Sequence, residues 1–372
     1  MFSTLQNRVH LYRNVLDEYT THPLTHQLFG RMASTVEGSP WHREANVLVH
    51  TQMVLEEYIK QLGEKELFNE YLGALACIFH DVGKPDAKKE KYKPERGTYF
   101  AFHGHEVISA RYFEDFWVRS GKEFLTPTEQ FTVSWMIENH MPWSITDEAK
   151  LLNLLRTAKY YDVEETWFRA LRADQRGRIA DDHEKKLRDV EEWIENIMKL
   201  SELAEQTMPA RPSGEPTLYM PIAPSGAGKS TLFRKLKVEH PDLQAFSLDA
   251  LRHEWYDPND YHKAWQASTE DKQFEQKANQ RFLEMIKTGK DLFVDNTNLS
   301  ARRRRFYLNE AKRRGYRTVA MLLPVDLKTL IARQQSRGDK TVPEKAVRQQ
   351  FFSLQLPQIG EFDQIVSPNE DE

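Results

Sequence analysis

The chain has 372 residues, 40% hydrophobic and 29% charged, a length that allows two domains and a composition that excludes wholesale disorder. No run of about 18 apolar residues occurs, so no membrane span is expected, and the N-terminal MFSTLQNRVHLYRNV does not read as a secretory signal. The single cysteine, Cys77, excludes an intramolecular disulfide framework and fits a reducing cytoplasm. The net charge of −4 divides unevenly: residues 1–200 carry 26 Lys+Arg against 32 Asp+Glu, and residues 201–372 carry 26 against 24.

Residues 1–207 read as almost entirely helical. Apolar residues recur at helical spacing across Val47–Tyr58, Tyr71–Phe79 and Phe131–Ile137. Six of the 13 histidines fall between positions 42 and 140. His50 lies in NVLVHTQMV, His80 and Asp81 are adjacent in IFHDVGK, and His105, His140 and Asp174 follow in FHGHE, ENHM and LRAD. Imidazoles and carboxylates are natural ligands for Mn²⁺, Fe²⁺, Co²⁺, Ni²⁺ or Zn²⁺. Lys84, one turn beyond His80, is placed to neutralise phosphate charge. His103 is expected behind the ligands rather than among them. His42 with Arg43 reads equally as the lining of a substrate entrance or as a surface pair.

The order His50, His80-Asp81, His105, His140, Asp174, over roughly residues 40–180, resembles the HD metallophosphohydrolase superfamily. That resemblance implies an all-α domain with catalytic Asp81. The first histidine, the His-Asp pair and the last aspartate would hold one divalent metal, and His105 and His140 would add a second with Asp81 bridging. Such ions can hold a phosphoester and activate water near neutral pH. Iron oxygenases use the same helical scaffold, so ligation alone leaves the reaction open.

Asp181–Glu205 keeps Leu187, Val190, Ile194, Ile197 and Leu200 on one stripe and predicts a long amphipathic helix. A linker at residues 208–215 follows, marked by Pro209, Pro212 and Gly214. Beyond it, from 216 to 372, short apolar runs at Thr217–Ala223, Ala245–Leu248, Leu292–Val294 and Arg317–Val325 alternate with helical patterns. This alternation predicts an α/β domain with a parallel sheet. The acidic tail Asn369–Glu372 is expected to fray.

Ala223-Pro-Ser-Gly-Ala-Gly-Lys-Ser230 follows the first of these strands and opens a helix. It matches G-x-x-x-x-G-K-[ST] with Ala223 in place of the first glycine. Residues Ser225, Gly226, Ala227, Gly228, Lys229, Ser230 and Thr231 then form a loop for a nucleoside triphosphate such as ATP. Lys229 would sit on the β- and γ-phosphates and Ser230 in the Mg²⁺ shell. Asp249 ends the next strand, with Arg252 on the same side of the following helix. The aspartate suits a base for an acceptor hydroxyl and the arginine an acceptor phosphate, although Asp249 also suits a helix cap. Asp295-Asn-Thr-Asn298 ends a further strand, which points Asp295 and Asn298 to substrate binding. Arg333 and Arg337, before Gly338, suit a lid over the donor phosphates. The run Arg302–Arg305 reads either as a surface for an anionic polymer or as a solvated helix face.

This set of residues resembles the polynucleotide 5′-hydroxyl kinase branch of P-loop phosphotransferases, over most of residues 214–350. In that branch the aspartate matching Asp249 activates the 5′-OH, the arginine matching Arg252 is associated with the acceptor phosphate, and lid arginines contact the donor. Related small-molecule kinases also carry Asp-x-x-Arg, so this half alone leaves the acceptor open. Joined, the two halves resemble bacterial end-healing enzymes of RNA or DNA. They would phosphorylate a 5′-OH and remove a 2′-, 3′- or 2′,3′-cyclic phosphate, leaving ends for a partner ligase. The rivals are a small-molecule kinase fused to a nucleotide phosphohydrolase, and a regulatory protein whose HD half senses a nucleotide.

Overall fold

A computed structural model describes residues 15–38, 42–62, 68–94, 97–120, 125–180, 183–206, 216–358 and 360–366. The chain divides into two compact units, residues 1–208 and 209–372. The expected linker at 208–215 and the tail at 369–372 both lie outside the described residues.

The first unit is a helical assembly: α1 (His26–Ala33), α2 (Val47–Lys60), α3 (Phe68–Phe79), the single turn α4 (Lys84–Ala87), α5 (His105–Ser120), α6 (Pro127–Glu138), α7 (Glu148–Tyr160), α8 (Glu164–Arg176) and α9 (His183–Gln206). Local chemistry sets the starts. Asn46 caps α2 by accepting from Val49 N, and Thr126 and Glu129 form a reciprocal capping box around Pro127 at the head of α6. Helices α2, α3 and α8 pack on one another, and α6 packs on α3 and α5. Phe79, at the end of α3, is enclosed by the rings of Tyr19, Phe29, Phe113 and Phe116, which fixes the height at which α3 stops. The α9 stripe buries Val190, Ile194 and Ile197, and α9 packs on α7 and α8. One departure from a purely helical unit is an antiparallel hairpin, β1 (Lys89–Lys93) and β2 (Gly97–Ala101), inserted between α4 and α5. Its lysine-rich first strand lacks the apolar alternation by which strands are read.

The second unit is a five-stranded, wholly parallel sheet of β3 (Thr217–Ile222), β4 (Gln244–Phe246), β5 (Leu292–Val294), β6 (Arg317–Leu322) and β7 (Gln364–Val366), in the order β4-β5-β3-β6-β7. Its helices are α10 (Lys229–Glu239), α11 (Leu248–Trp255), α12 (Tyr261–Glu270), α13 (Phe274–Ile286), α14 (Ala301–Arg313), α15 (Leu327–Gln335) and α16 (Glu344–Phe352). Helix α10 buries Leu232 and Leu236 against Phe293, Val319 and Met321 on one face. On the other, Phe282 of α13 and Tyr307 of α14 close on Phe246. The chain moves to one side of β3 for β4 and β5 and to the other for β6. The carboxyl end of β3 therefore lies at the switch point where such sheets bind ligands.

The arginine run does not form one surface. Arg304 is 0% exposed, pairs through Nε and Nη2 with both Glu361 oxygens (2.6 and 3.0 Å), and donates Nη1 to the carbonyls of Asn298 and Gln355. It ties α14 to the chain on either side of the sheet's carboxyl edge. Replacing Arg304 by alanine strands Glu361 and two carbonyls, and the second unit should lose about 3–5 kcal/mol of stability, read as a lowered denaturant midpoint.

Candidate functional site

Each unit gathers one cluster. In the first, α2 supplies His50, the turn after α3 supplies His80 and Asp81, the head of α5 supplies His105, the turn after α6 supplies His140, and α8 supplies Asp174. All six are buried. Gly83 makes the meeting of two of these segments possible: a Cβ there would lie 2.5 Å from His105 O and 2.7 Å from Ser109 N, both rigid backbone atoms.

The four imidazoles share one arrangement. Nδ1 faces a backbone carbonyl in each: Gly177 for His50 (3.0 Å), Cys77 for His80 (2.7 Å), Phe102 for His105 (2.8 Å) and Ile137 for His140 (2.7 Å). That contact places a proton on Nδ1 and aims Nε2 inward, as metal-ligating histidines require. Two subsets result. His50 and His80 bring Nε2 to 3.1 and 3.7 Å from Asp174 Oδ1, and to 3.6 and 3.1 Å from Asp81 Oδ2. His105 and His140 bring Nε2 to 3.1 and 3.8 Å from Asp81 Oδ1 and to 3.1 Å from each other. Asp81 thus faces both subsets, one through each oxygen.

Charge at this cluster is tightly balanced. Burial raises the Asp81 carboxyl, but His80 and Lys84 overcome it and hold the group well below the usual carboxylate range. Burial disfavours a charged His50, and the bonds to Asp174 and Glu44 outweigh it, lifting the imidazole to about 10. Burial and the neighbouring His105 and His80 push His140 down to about 3, so it is neutral. His80 Nε2 and Asp81 Oδ1 have no hydrogen-bond partner, and Asp81 Oδ2 is met by the Lys84 ammonium. Two inward Nε2 lone pairs at 3.1 Å repel unless a cation stands between them and the carboxylate. Within each of the sets His50/His80/Asp174 and Asp81/His105/His140, the donor atoms lie within 4.8 Å of one another. Imidazole and carboxylate donors of this kind fit one or two divalent ions such as Mn²⁺, Ni²⁺, Co²⁺ or Fe²⁺, whose entry releases the His50 proton.

Lys84 lies with Nζ 2.8 Å from Asp81 Oδ2 and 2.6 Å from Glu37 Oε1. Burial opposes its charge, yet the two carboxylates raise the ammonium above its ordinary range. Its charge is therefore already shared when a phosphate arrives. His42, half-buried, stacks edgewise on His50 at 5.0 Å and points Nδ1 at Glu37 and Glu44 (3.4 and 3.6 Å). It belongs beside the cluster, not to an isolated surface pair. Glu37 and Glu44 precede α2 in an irregular segment, where no periodicity marks them. The placement of His103 behind the ligands is corrected: it is exposed and outside the cluster, because the tight turn at Gly104 points it to solvent.

In the second unit the phosphate loop runs from β3 into α10. Gly226 and Gly228 have φ of +92° and +102°, and a Cβ on Gly226 would sit 2.6 Å from Gln334 Nε2. Lys229 Nζ donates to the carbonyls of Ala223 and Pro224. Burial, only partly opposed by Asp295, lowers its ammonium to about 8. The loop is held from outside by Gln350, which accepts from Ser225 N, and by Gln334 and Arg333, which donate to Ser225 O and Gly226 O.

Asp249 stands in the first turn of α11. The capping alternative is answered by Ser247, whose hydroxyl accepts from Ala250 N. Asp249 Oδ1 accepts from Arg252 Nη1 (2.7 Å) and from Tyr261 OH (2.8 Å), while Arg252 Nε donates to Ser268. Tyr261 was not legible beforehand, because the loop before α12 carries no motif. Burial raises the Asp295 carboxyl, though Lys229 draws it down. Asn298 borders the cavity described next but is 3% exposed, its φ is +50°, and its Nδ2 is committed to the carbonyls of Pro221, Val294 and Asn296. It stitches β3 to β5. Residues Ser225–Thr231, Asp249, Arg252, Asp295, Arg333 and Arg337 line one cavity of about 1930 Å³. Arg302, Arg303, His262 and Trp265 line it as well.

Comparison with known proteins agrees with this layout. Residues 47–167 match the HD domain family, and residues 218–357 match an AAA domain family. The chain joins an HD domain to a P-loop AAA domain. This pairing supports a fused phosphohydrolase and kinase. No curated protein matches the chain. Among solved structures, the Deinococcus radiodurans tunicamycin resistance protein is similar at 15% identity and a TM-score of 0.30, over 42% of this chain and 88% of that one. Among the described residues of the HD and P-loop domains, no helix is long and apolar enough to cross a membrane.

Two outcomes follow from the geometry. Asp81→Ala removes the carboxylate that faces both histidine subsets. It should lower divalent-metal affinity beyond the roughly 10–100-fold of an outer-sphere change, and further than His140→Ala, read by metal content after dialysis against graded chelator. At the phosphate loop, bound phosphates raise the Lys229 pKa above its free value of about 8. Nucleotide affinity should therefore be full below pH 8 and fall as pH rises through 8, with net proton uptake on binding seen by calorimetry in buffers of different ionisation enthalpy.

Proposed function

We propose that this protein heals nucleic-acid ends, phosphorylating 5′-OH termini from an NTP with Mg²⁺ and removing 2′-, 3′- or 2′,3′-cyclic phosphate with the HD domain. The observation that carries the reading is the extent and lining of the P-loop cavity. At about 1930 Å³ it exceeds the roughly 300–1,000 Å³ of a small-ligand pocket. The part away from the phosphate loop is basic and aromatic. Arg302 and Arg303 project from α14, and Trp265 on α12 is 49% exposed. Guanidinium groups beside an open indole suit a polyanion with stacking bases better than a lone small hydroxyl compound.

In this reading Lys229 and the loop amides hold the donor phosphates, with Ser230 in the Mg²⁺ shell, and Arg333 and Arg337 flank the donor from α15 and the turn beyond it. Asp249, oriented through Oδ1 by Arg252 and Tyr261, takes the 5′-hydroxyl proton. The 5′ oxygen bonds to the γ-phosphorus as the bond from that phosphorus to the β–γ bridging oxygen breaks, releasing NDP. Arg252, already paired with Asp249, presents the rest of its guanidinium to the acceptor phosphate.

In the HD domain, divalent ions would supply Lewis-acid polarisation of the phosphoester and a lowered pKa for water. His50, His80, Asp81, His105, His140 and Asp174 would hold them. Lys84, pinned between Asp81 and Glu37, fixes the Asp81 carboxylate and offers positive charge to the phosphate. Hydrolysis joins the water oxygen to phosphorus as the bond from that phosphorus to the 2′ or 3′ oxygen breaks, and a proton from the water leaves that oxygen as a hydroxyl, twice over for a cyclic phosphate. The products, a 5′-phosphate and a free 3′ end, are those a partner ligase requires.

The test uses oligonucleotides with defined ends and labelled ATP. Lys229→Ala and Asp249→Ala should each lower 5′ phosphorylation by at least about 10³-fold and leave 3′-phosphate release intact, whereas Asp81→Ala should do the reverse. Transfer to nucleosides or other small hydroxyl compounds, with none to a 5′-OH oligonucleotide, would overturn the reading.

A further inference from the structure

The hairpin between Asp81 and His105 has no part in the chemistry above, yet it is bolted to the metal cluster at both ends. Lys84, bonded to Asp81, precedes it, and the carbonyl of Phe102, which holds His105 Nδ1, follows it. All five residues of β1 are exposed. Alternation puts Lys89, Lys91 and Lys93 on one face, and the register sets Ala101, Tyr99 and Gly97 opposite them. Two of the three lysines thus have small neighbours, and the third has a tyrosine ring.

The other face is anchored at its Lys88–Phe100 end. Lys88 Nζ lies 3.9 Å above the Phe100 ring and donates to Val36 O, and a Cβ on Gly38 would meet Phe100 Cδ2 at 4.0 Å. Anchored there on residues 36–38, the hairpin leaves all three lysines exposed.

Charge argues for an occupant. The half of the chain holding the HD domain carries six more acids than bases, a balance that repels a polyanion, yet residues 88–93 hold four lysines and one glutamate. A two-residue step along a strand is about 6.8 Å, close to the phosphate step of an extended single strand. We infer that the β1–β2 hairpin is the track for single-stranded nucleic acid entering the HD centre, with Lys89, Lys91 and Lys93 on successive phosphates and Tyr99 against a base. The inference rests on the end-healing reading and adds to it the element that holds the strand behind its 3′ end. Lysines on an exposed strand also deter edge-to-edge pairing, a role that would leave substrate binding untouched.

The test compares wild type with the triple variant Lys89→Ala, Lys91→Ala, Lys93→Ala, full-length and metal-loaded. Two substrates are used: a 3′-phosphorylated oligonucleotide of about ten nucleotides, and p-nitrophenyl phosphate, which engages the centre alone. We expect KM for the oligonucleotide to rise at least about 10-fold at 0.1 M salt. The slope of log KM against log salt should fall by roughly 2, as loss of three single-strand phosphate contacts requires, with the p-nitrophenyl phosphate rate retained. An unchanged oligonucleotide KM and salt slope would overturn the proposal. If the triple variant loses both substrates, the Lys→Arg triple decides: wild-type oligonucleotide KM and slope support the track, and a raised KM overturns it. Wild-type enzyme that hydrolyses p-nitrophenyl phosphate but no oligonucleotide end overturns the end-healing reading itself, and the track with it.

Discussion

A carboxylate sealed from water demands compensating positive charge, and Asp81 imposes that demand on the whole first unit. Burial alone would neutralise it. His80 and Lys84 from its own turn, His50 from α2 and His105 from the head of α5 instead approach it and keep it ionised. Each imidazole can do so only while a carbonyl holds its Nδ1, and three of those carbonyls belong to helix ends or to the turn entering a helix. Helices that stop at Phe79 and Glu138, and one that starts at His105, are therefore parts of the site as much as of the fold. The aromatic packing around Phe79 sets these ends in place, so the apolar core determines where the polar cluster forms.

The second unit answers a different demand, for positive charge at a site that must receive phosphates. Lys229 rests on two carbonyls with its ammonium pulled down by burial, a state that favours an incoming anion. The sheet order supplies the place, since the chain parts on either side of β3 and leaves an opening at its carboxyl end. Arginines then sort by burial. Arg304 serves stability, while Arg302 and Arg303, two residues and one residue earlier, face the cavity. Consecutive residues on one helix project about 100° apart, which is why one charged run performs two tasks.

Much of this was legible because the chemistry is written in local patterns. Phosphate loops need glycines at set spacings, parallel strands show as apolar runs, and the ordered His50, His80-Asp81, His105, His140 and Asp174 stand out against helical periodicity. What escaped depends on contacts between segments far apart in sequence. Glu37 reaches Lys84 across 47 positions, and Tyr261 reaches Asp249 from the first turn of a different helix. The backbone stitch made by Asn298 escaped as well, because a polar residue at a strand's carboxyl edge suits a ligand and a backbone stitch equally well. Only the carbonyls around its amide separate the two. The hairpin was missed for the opposite reason: its first strand is exposed throughout and carries no apolar alternation.

Gln334 fastens more than its own helix. Its Nε2 donates to Ser225 O, and its Oε1 accepts from Val342 N and from Arg337 Nη1. One uncharged side chain thereby splices the phosphate loop, the end of α15 and the segment leading to α16 into a single mechanical part. Any swing of the arginine-bearing segment is transmitted to the cradle of the donor phosphates, and loading of that cradle is felt by the arginines. Donor occupancy and the posture of the cationic arm are thus geared together by an amide, whose hold, unlike that of an ion pair, changes little with salt or pH.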